Sequence, residues 1–350
     1  MKRLTGLAAT IALAACGGWI ATLLGIPLAW LIGAMLVTMV TGLAVGPVEV
    51  PRPLYRAGQI VVGTAVGLTV AADIIERIVP HLPAILGGAL VSILIGWLLA
   101  PLLARWGRLD RTTAYFAMVP AGIAEMADLA GRHGGDVGAV ALFHTLRVVF
   151  IVLFLPSLIL ALMPAAASAT QDTTGAWDGP LALALIAGVA AALAGTRLGL
   201  PSAYVVAPML ALALLSGSGL LEAREPPVLL ALAQIALGLS LGARFRRATL
   251  RRLPRALAGG IPVVVLHAAL MLGLGLAVAA AFGFEAPLLL MGYATGGTAE
   301  MVLTAQVVAA DAALVAAYQL TRGLLGNLLA GVIYTRTVAP RATPADKDIT

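Results

Sequence analysis

A chain of 350 residues, 61% of them hydrophobic and 11% charged, with a formal net charge of +6, lies far from the composition of a soluble globular protein. No polar stretch is long enough to form a separate soluble domain, and the one cysteine, Cys16, excludes both an intrachain disulfide and a thiolate-clustered metal site. The composition is that of a polytopic membrane protein, and apolar runs of about 18 to 25 residues favour helices over the alternating strands of about 10 that a barrel needs.

In chain order, apolar runs fall at about 5–22, 28–46, 57–72, 83–104, 112–130 and 138–163, then again at about 180–196, 203–220, 228–243, 256–282, 286–305 and 312–335, each bounded by Pro, Gly or charge. Met1-Lys2-Arg3 and the run ending Leu13-Ala14-Ala15-Cys16-Gly17 have the form of a lipoprotein signal peptide. Residues 180–196 occupy the same place in the second half, so the first run is expected to be a mature helix as well. The fifth run holds an unusual text, Pro120-Ala121-Gly122-Ile123-Ala124-Glu125-Met126, which returns 175 residues later as Thr295-Gly296-Gly297-Thr298-Ala299-Glu300-Met301. The same offset pairs Gln59, Gly63 and Gly67 with Gln234, Gly238 and Gly242, Asp136 with Asp311, and Arg147 with Arg322. Leu24-Gly25-Ile26-Pro27 answers Leu198-Gly199-Leu200-Pro201 at 174, one residue of length difference between two copies of a tandem duplication. The expected division is a first membrane repeat at 1–163, a linker at 164–179, a second membrane repeat at 180–337 and a cytoplasmic tail at 338–350.

Matching loops carry opposite charge. After the third run the first copy has Asp73, Glu76, Arg77 and His81, while the second has Arg244, Arg246, Arg247, Arg251, Arg252 and Arg255. One loop later Arg105, Arg108, Asp110 and Arg111 face only Glu285. Basic loops stay cytoplasmic, so equivalent loops are expected on opposite sides, which makes the copies inverted repeats with an odd number of crossings each. Six runs become five crossings if the fifth, interrupted at Pro120 and Gly122 or at Gly296 and Gly297, is re-entrant or broken. The expected fold is therefore all-α, a polytopic membrane protein of two inverted repeats, each of about five transmembrane helices plus a re-entrant or broken segment. Lys2, Arg3, Arg336, Arg341 and Lys347 then lie inside and Asp172 and Asp178 outside, with both termini cytoplasmic; twelve full crossings in parallel copies is the alternative.

A carboxylate at mid-membrane costs about 2.5 to 3.5 kcal/mol on insertion scales, so Glu125 and Glu300 need a partner, a proton or water. Arg147 and Arg322, 22 residues further on in each copy, are the expected partners, either as structural ion pairs or as part of a gated proton or substrate site. Gly122, Gly296 and Gly297 mark the breaks whose free N–H and C=O groups would face a ligand. Gln59 and Gln234 open glycine-interrupted runs and stand either for unwound ligand contacts or for plain interhelical hydrogen bonds. Asp136 and Asp311 precede the last helix of each copy and read as N-caps. Asp128, three residues past Glu125, is a secondary candidate whose counterpart is Leu303, just as His144 faces Gln319.

His81, His133, His144 and His267 show no i, i+3 or i, i+4 pairing, and neither a Walker loop nor a Gly-x-Ser-x-Gly pattern is present, so no metal, no cofactor and no enzymatic role are expected. The arginine run reads as a topogenic loop touching anionic lipid rather than as a nucleic-acid site. The duplicated copies, the Ala-Glu-Met segments (Ala124-Glu125-Met126 and Ala299-Glu300-Met301), the Leu-Gly-Ile/Leu-Pro entries and the Gln-x-x-x-Gly-x-x-x-Gly runs resemble the AbrB-type duplicated membrane protein family of Gram-negative bacteria over nearly the whole chain. That resemblance implies an inner-membrane location and two inherited labels, regulator of gene expression and ammonia monooxygenase, neither of which follows from these residues. Secondary transport of a small solute through a midplane site between the copies is the favoured expectation, with an indirectly acting membrane regulator as the alternative. The expected partners are the solute or ion, membrane lipids and, as an option left open, further copies of the same chain.

Overall fold

The structure is a computed structural model and describes residues 2–70, 73–163, 175–308 and 310–339. Fifteen helices and no strands occur among the described residues. The first copy supplies α1 (Lys2–Leu23), α2 (Ala29–Ala44), α3 (Arg52–Thr69), α4 (Ile74–Gly107), α5 (Arg111–Met118), α6 (Ile123–Arg132) and α7 (Val137–Leu162). The second supplies α8 (Gly179–Arg197), α9 (Ala203–Gly217), α10 (Pro227–Gly242), α11 (Arg247–Arg252), α12 (Pro254–Phe282), α13 (Ala286–Tyr293), α14 (Thr298–Val307) and α15 (Ala312–Thr337). Apart from the short basic α11, every element has its counterpart in the other copy. Asp172, Arg341 and Lys347, on which part of the expected orientation rests, lie outside the described residues, as do the side chains of Lys2 and Arg3.

Repeated text becomes repeated backbone. At the Leu-Gly-x-Pro entries Gly25 and Gly199 take φ of +65° and +70°, and the residues after the prolines, Leu28 and Ser202, N-cap α2 and α9 at φ of +54° and +50°. Glycine supplies the left-handed turn without a Cβ penalty and the proline fixes the step that follows it. Asp136 and Asp311 cap α7 and α15, accepting from the N–H groups of Gly138 and Ala139 and of Ala313 and Leu314. A carboxylate there takes up donors that the first turn leaves unpaired.

Helices pack across copies as much as within them. α1, α2, α3, α8, α9 and α10 form one bundle, in which α3 lies on α9 and α10 on α2; α4 to α7 with α12 to α15 form the other, in which α4 lies on α15 and α12 on α7. The Gly-x-x-x-Gly runs make the first exchange possible. A Cβ on Gly63 or Gly67 would strike the carbonyls of Val205 or Met209, and one on Gly238 or Gly242 those of Leu31 or Met35. α3 and α10 are continuous helices, so these glycines do not unwind them; they let backbones touch. The second exchange carries matched ion pairs: Arg77 of α4 reaches the cap Asp311 at 2.5 Å, and Arg252, 175 residues later, reaches the cap Asp136 at 3.2 Å.

Outward faces are apolar. Leu86, Leu90, Leu94 and Leu98 of α4, at 49 to 56% exposure, form one stripe of i, i+4 spacing, and Leu183, Ile186 and Leu193 extend such a surface on α8. Five described helical stretches are long and apolar enough to cross a membrane: Glu76–Gly107, Val137–Leu162, Gly179–Arg197, Pro227–Arg252 and Pro254–Phe282. Ala8–Leu23, Ala29–Ala44 and Ala203–Gly217 are shorter apolar helices.

Candidate functional site

The fifth run is broken in both copies, at 119–122 between α5 and α6 and at 294–297 between α13 and α14. Each break is extended backbone at negative φ: Val119 and Gly122 at −64° and −62°, Ala294 and Gly297 at −56° and −81°. Pro120-Ala121 and Thr295-Gly296 lie between these matched residues, so the two breaks begin and end alike. What glycine supplies here is space. Glu125 and Glu300 are the third residues of α6 and α14 and fold back over the helix start, so that a Cβ on Gly122 or Gly297 would collide with the carboxylate Oε2. A carboxylate at this position complements the positive end of its helix.

Arg147 and Arg322 turn to the opposite side of each break. Arg147 donates to Met118 O at 3.1 Å; Arg322 donates to Ala294 O at 2.7 Å and Gly296 O at 3.3 Å. Instead of pairing with the glutamates, the guanidinium groups fill the carbonyl ends of α5 and α13, where exposed C=O groups favour a cation. A neighbour three residues earlier holds each one: His144 Nδ1 lies 3.1 Å from Arg147, and Gln319 Oε1 accepts from Arg322 at 2.5 Å. His144 Nε2 and Gln319 Nε2 reach the equivalent carbonyls, Phe116 O at 2.9 Å and Met291 O at 2.6 Å.

Both breaks open onto one cavity of about 630 Å³ between the two bundles. Gly122, Glu125, Arg147, Gly296, Gly297, Glu300 and Arg322 all line it, with Gln59 of α3 on the facing wall. Gln234 is not among the lining residues, and Asp128 points to the outer surface, where it pairs with Arg132 at 2.8 Å and is 57% exposed. Asp128, three residues from Glu125 on the same helix, is outside the cavity lining because its carboxylate turns to Arg132, one turn further along α6. The copies are unequal in access: Glu125 is exposed to the cavity, whereas Glu300 is 1% exposed and its Oε1 has no hydrogen-bond partner. Burial of a carboxylate oxygen without a hydrogen-bond partner is expensive.

The sequence reading missed four residues of the wall. Arg56 stacks on the ring of Tyr204 at 4.8 Å and Arg244 on that of Tyr55 at 5.8 Å, and all four line the cavity. Arg244 was hidden inside a run of arginines that loop topology accounted for, and Arg56 by its place at the polar start of α3. α15 closes the site from the second copy: Asn327 accepts from Gly122 N–H at 3.0 Å, and Gly326 packs against Pro120 O.

Outward-facing leucines, broken helices and a cavity lined by charged side chains define an all-helical membrane protein of duplicated architecture. The family model described as "Transition state regulatory protein AbrB" matches residues 30–337, and the chain belongs to that family. It is 26% identical over 321 residues to "Putative regulator AbrB" of Escherichia coli (strain K12), covering 91% of this chain and 92% of that protein. It is 25% identical over 341 residues to "Uncharacterized protein YhjN" of Bacillus subtilis (strain 168), covering 90% and 88%.

Proposed function

We propose that the chain is a secondary transporter that carries a small solute across the inner membrane, with no enzymatic step. The observation that carries this reading is the meeting of two broken helices, from matched positions of the two copies, at one polar cavity between two bundles. Broken helices that face a midplane cavity are how transporters present backbone charge to a solute, and apolar surroundings tolerate such backbone only there. The reading includes inverted copies, ten crossings and cytoplasmic termini, because only that arrangement puts every basic loop on one side. Glu125 and Glu300 are the groups that would take part in ion or proton coupling, Glu125 from the open side and Glu300 from the buried one.

The test is direct. Purified protein is placed in proteoliposomes containing a pH-sensitive dye and a potential-sensitive dye, then challenged in turn with amino acids, sugars, carboxylates and amines. A solute-elicited signal that falls at least tenfold in Glu125→Gln or Glu300→Gln supports the reading. Silence of the wild type towards every class, or full activity in both variants, sinks it.

A second reading is a membrane regulator that holds a cytoplasmic partner, favoured by α11, none of whose residues is buried and which exposes Arg247 and Arg251 beside Arg246. Replacing these three arginines by glutamine leaves the cavity walls and the Arg252–Asp136 pair in place. A transporter survives that change; a docking protein loses its signal.

A further inference from the structure

The class of solute follows from how charge is distributed around the cavity, on the assumption that the transport reading holds. Four arginines line it, Arg56, Arg147, Arg244 and Arg322, against two glutamates. Neither buried arginine spends its charge on a carboxylate: both donate to backbone carbonyls, at 4% and 8% exposure, and in each the Nε has no hydrogen-bond partner. Thr295, 1% exposed, also lines the cavity with an unpartnered Oγ1. On the facing wall Arg56 and Arg244 rest on tyrosine rings, which orient a guanidinium without neutralising it.

A cation site would need the carbonyl ends of the half-helices, and these are already filled by Arg147 and Arg322. What the walls leave unanswered is positive: two guanidinium groups more than there are carboxylates, with Arg147 and Arg322 buried on backbone carbonyls and Arg56 and Arg244 exposed and open to a ligand. Planar forks of donors fit carboxylate oxygens two at a time. We infer that the cavity is a binding site for a small organic dianion of the dicarboxylate type, one carboxylate held by Arg56 and Arg244 and the rest of the molecule lying towards Thr295. The volume, about 630 Å³, suits a ligand of that size together with its hydration.

Ligand-dependent thermal unfolding of the detergent-purified, full-length protein at low ionic strength tests this, since a ligand that binds only the folded state raises the melting temperature. The probes are succinate, acetate, succinamide as the neutral equivalent and butane-1,4-diamine as the dication of the same length. The expected result is saturable stabilisation by succinate, weaker stabilisation by acetate, none by the other two, and an apparent affinity for succinate about tenfold or more weaker in Arg56→Gln/Arg244→Gln. The single variant Arg56→Lys, which keeps the charge and loses the fork, should fall between the two; it also serves if the double variant does not fold. Stabilisation by the diamine, absence of any carboxylate effect, or equal succinate effects in wild type and variants would each overturn the proposal. Uptake of labelled succinate and diamine into proteoliposomes separates the two readings. Binding of succinate without uptake removes the transport reading and leaves the anion site, whereas uptake of the diamine alone leaves transport and removes the anion site.

Discussion

A guanidinium buried in a membrane helix has to be given acceptors, and His144 and Gln319 provide one in two different ways. A carbonyl only accepts and an arginine only donates, so the contacts to Phe116 O and Arg147 fix His144 with its proton on Nε2 and its lone pair on Nδ1. The Gln319 amide does the same with its NH₂ towards Met291 O and its oxygen towards Arg322. His144→Gln is therefore expected to leave thermal stability within about 1 kcal/mol of wild type, while His144→Leu, which strands the Phe116 carbonyl and one arginine donor, should cost about 1 to 3 kcal/mol. Equal losses in the two variants would show that the ring, rather than its hydrogen bonds, matters. In the sequence, His144 against Gln319 is only a mismatch between copies, because equivalence of role depends on donors and acceptors placed in space. The helix breaks beside Glu125 and Glu300 were legible, since a carboxylate next to glycine in an apolar run is rare text; the partners of these groups were not. A spacing of 22 residues says that an arginine can reach the break, and nothing about which of its two ends the arginine takes.

Among whole elements, the glycine pattern decides which helices touch. Gly238 of α10 faces the backbone of α2 so closely that an added methyl would strike Leu31 O, whereas Gly87, on the exposed side of α4, has nothing near it. Gly238→Ala should separate α10 from α2 and lower stability by about 1 to 3 kcal/mol. Gly87→Ala should be neutral or stabilising by up to about 1 kcal/mol, since a helix interior prefers alanine. Thermal unfolding of both variants in the same detergent gives the comparison, and a matching loss at Gly87 would mean that glycine content, and not contact, sets the effect. α15 shows why helices at the site are harder to read than helices at the lipid. At 26 residues it is as long as α7, yet Gln319, Arg322 and Asn327 dilute its apolar character, and it falls outside the stretches apolar enough to count as a span. Polar side chains facing the cavity reduce the hydropathy signal by which a crossing is recognised in sequence.

Over the whole molecule, two bundles each built from both copies meet at the cavity, an arrangement that no spacing rule announces. The duplication at 175 residues was visible because related residues keep their order along the chain; the exchange of α3 for α10 and of α4 for α12 was not, because partner choice is settled by surfaces that only the folded chain brings together. That exchange has a consequence for movement. If transport works by shifting one bundle against the other, contacts across the boundary must change in each cycle, while contacts inside a bundle persist. Ser202, at the start of α9, and Thr298, the first residue of α14, face each other across the boundary with hydroxyl oxygens 3.5 Å apart. Cysteines at these two positions, in a Cys16→Ser background, are expected to form a disulfide under mild oxidation and to stop solute-driven flux in proteoliposomes, with recovery on adding reductant. A control pair inside one bundle, Leu54→Cys with Ile235→Cys, whose native side chains share an apolar cluster, should leave flux unchanged whether or not it is oxidised. Undiminished flux through protein fully cross-linked between residues 202 and 298 would rule out relative motion of the bundles there and would confine gating to the breaks themselves.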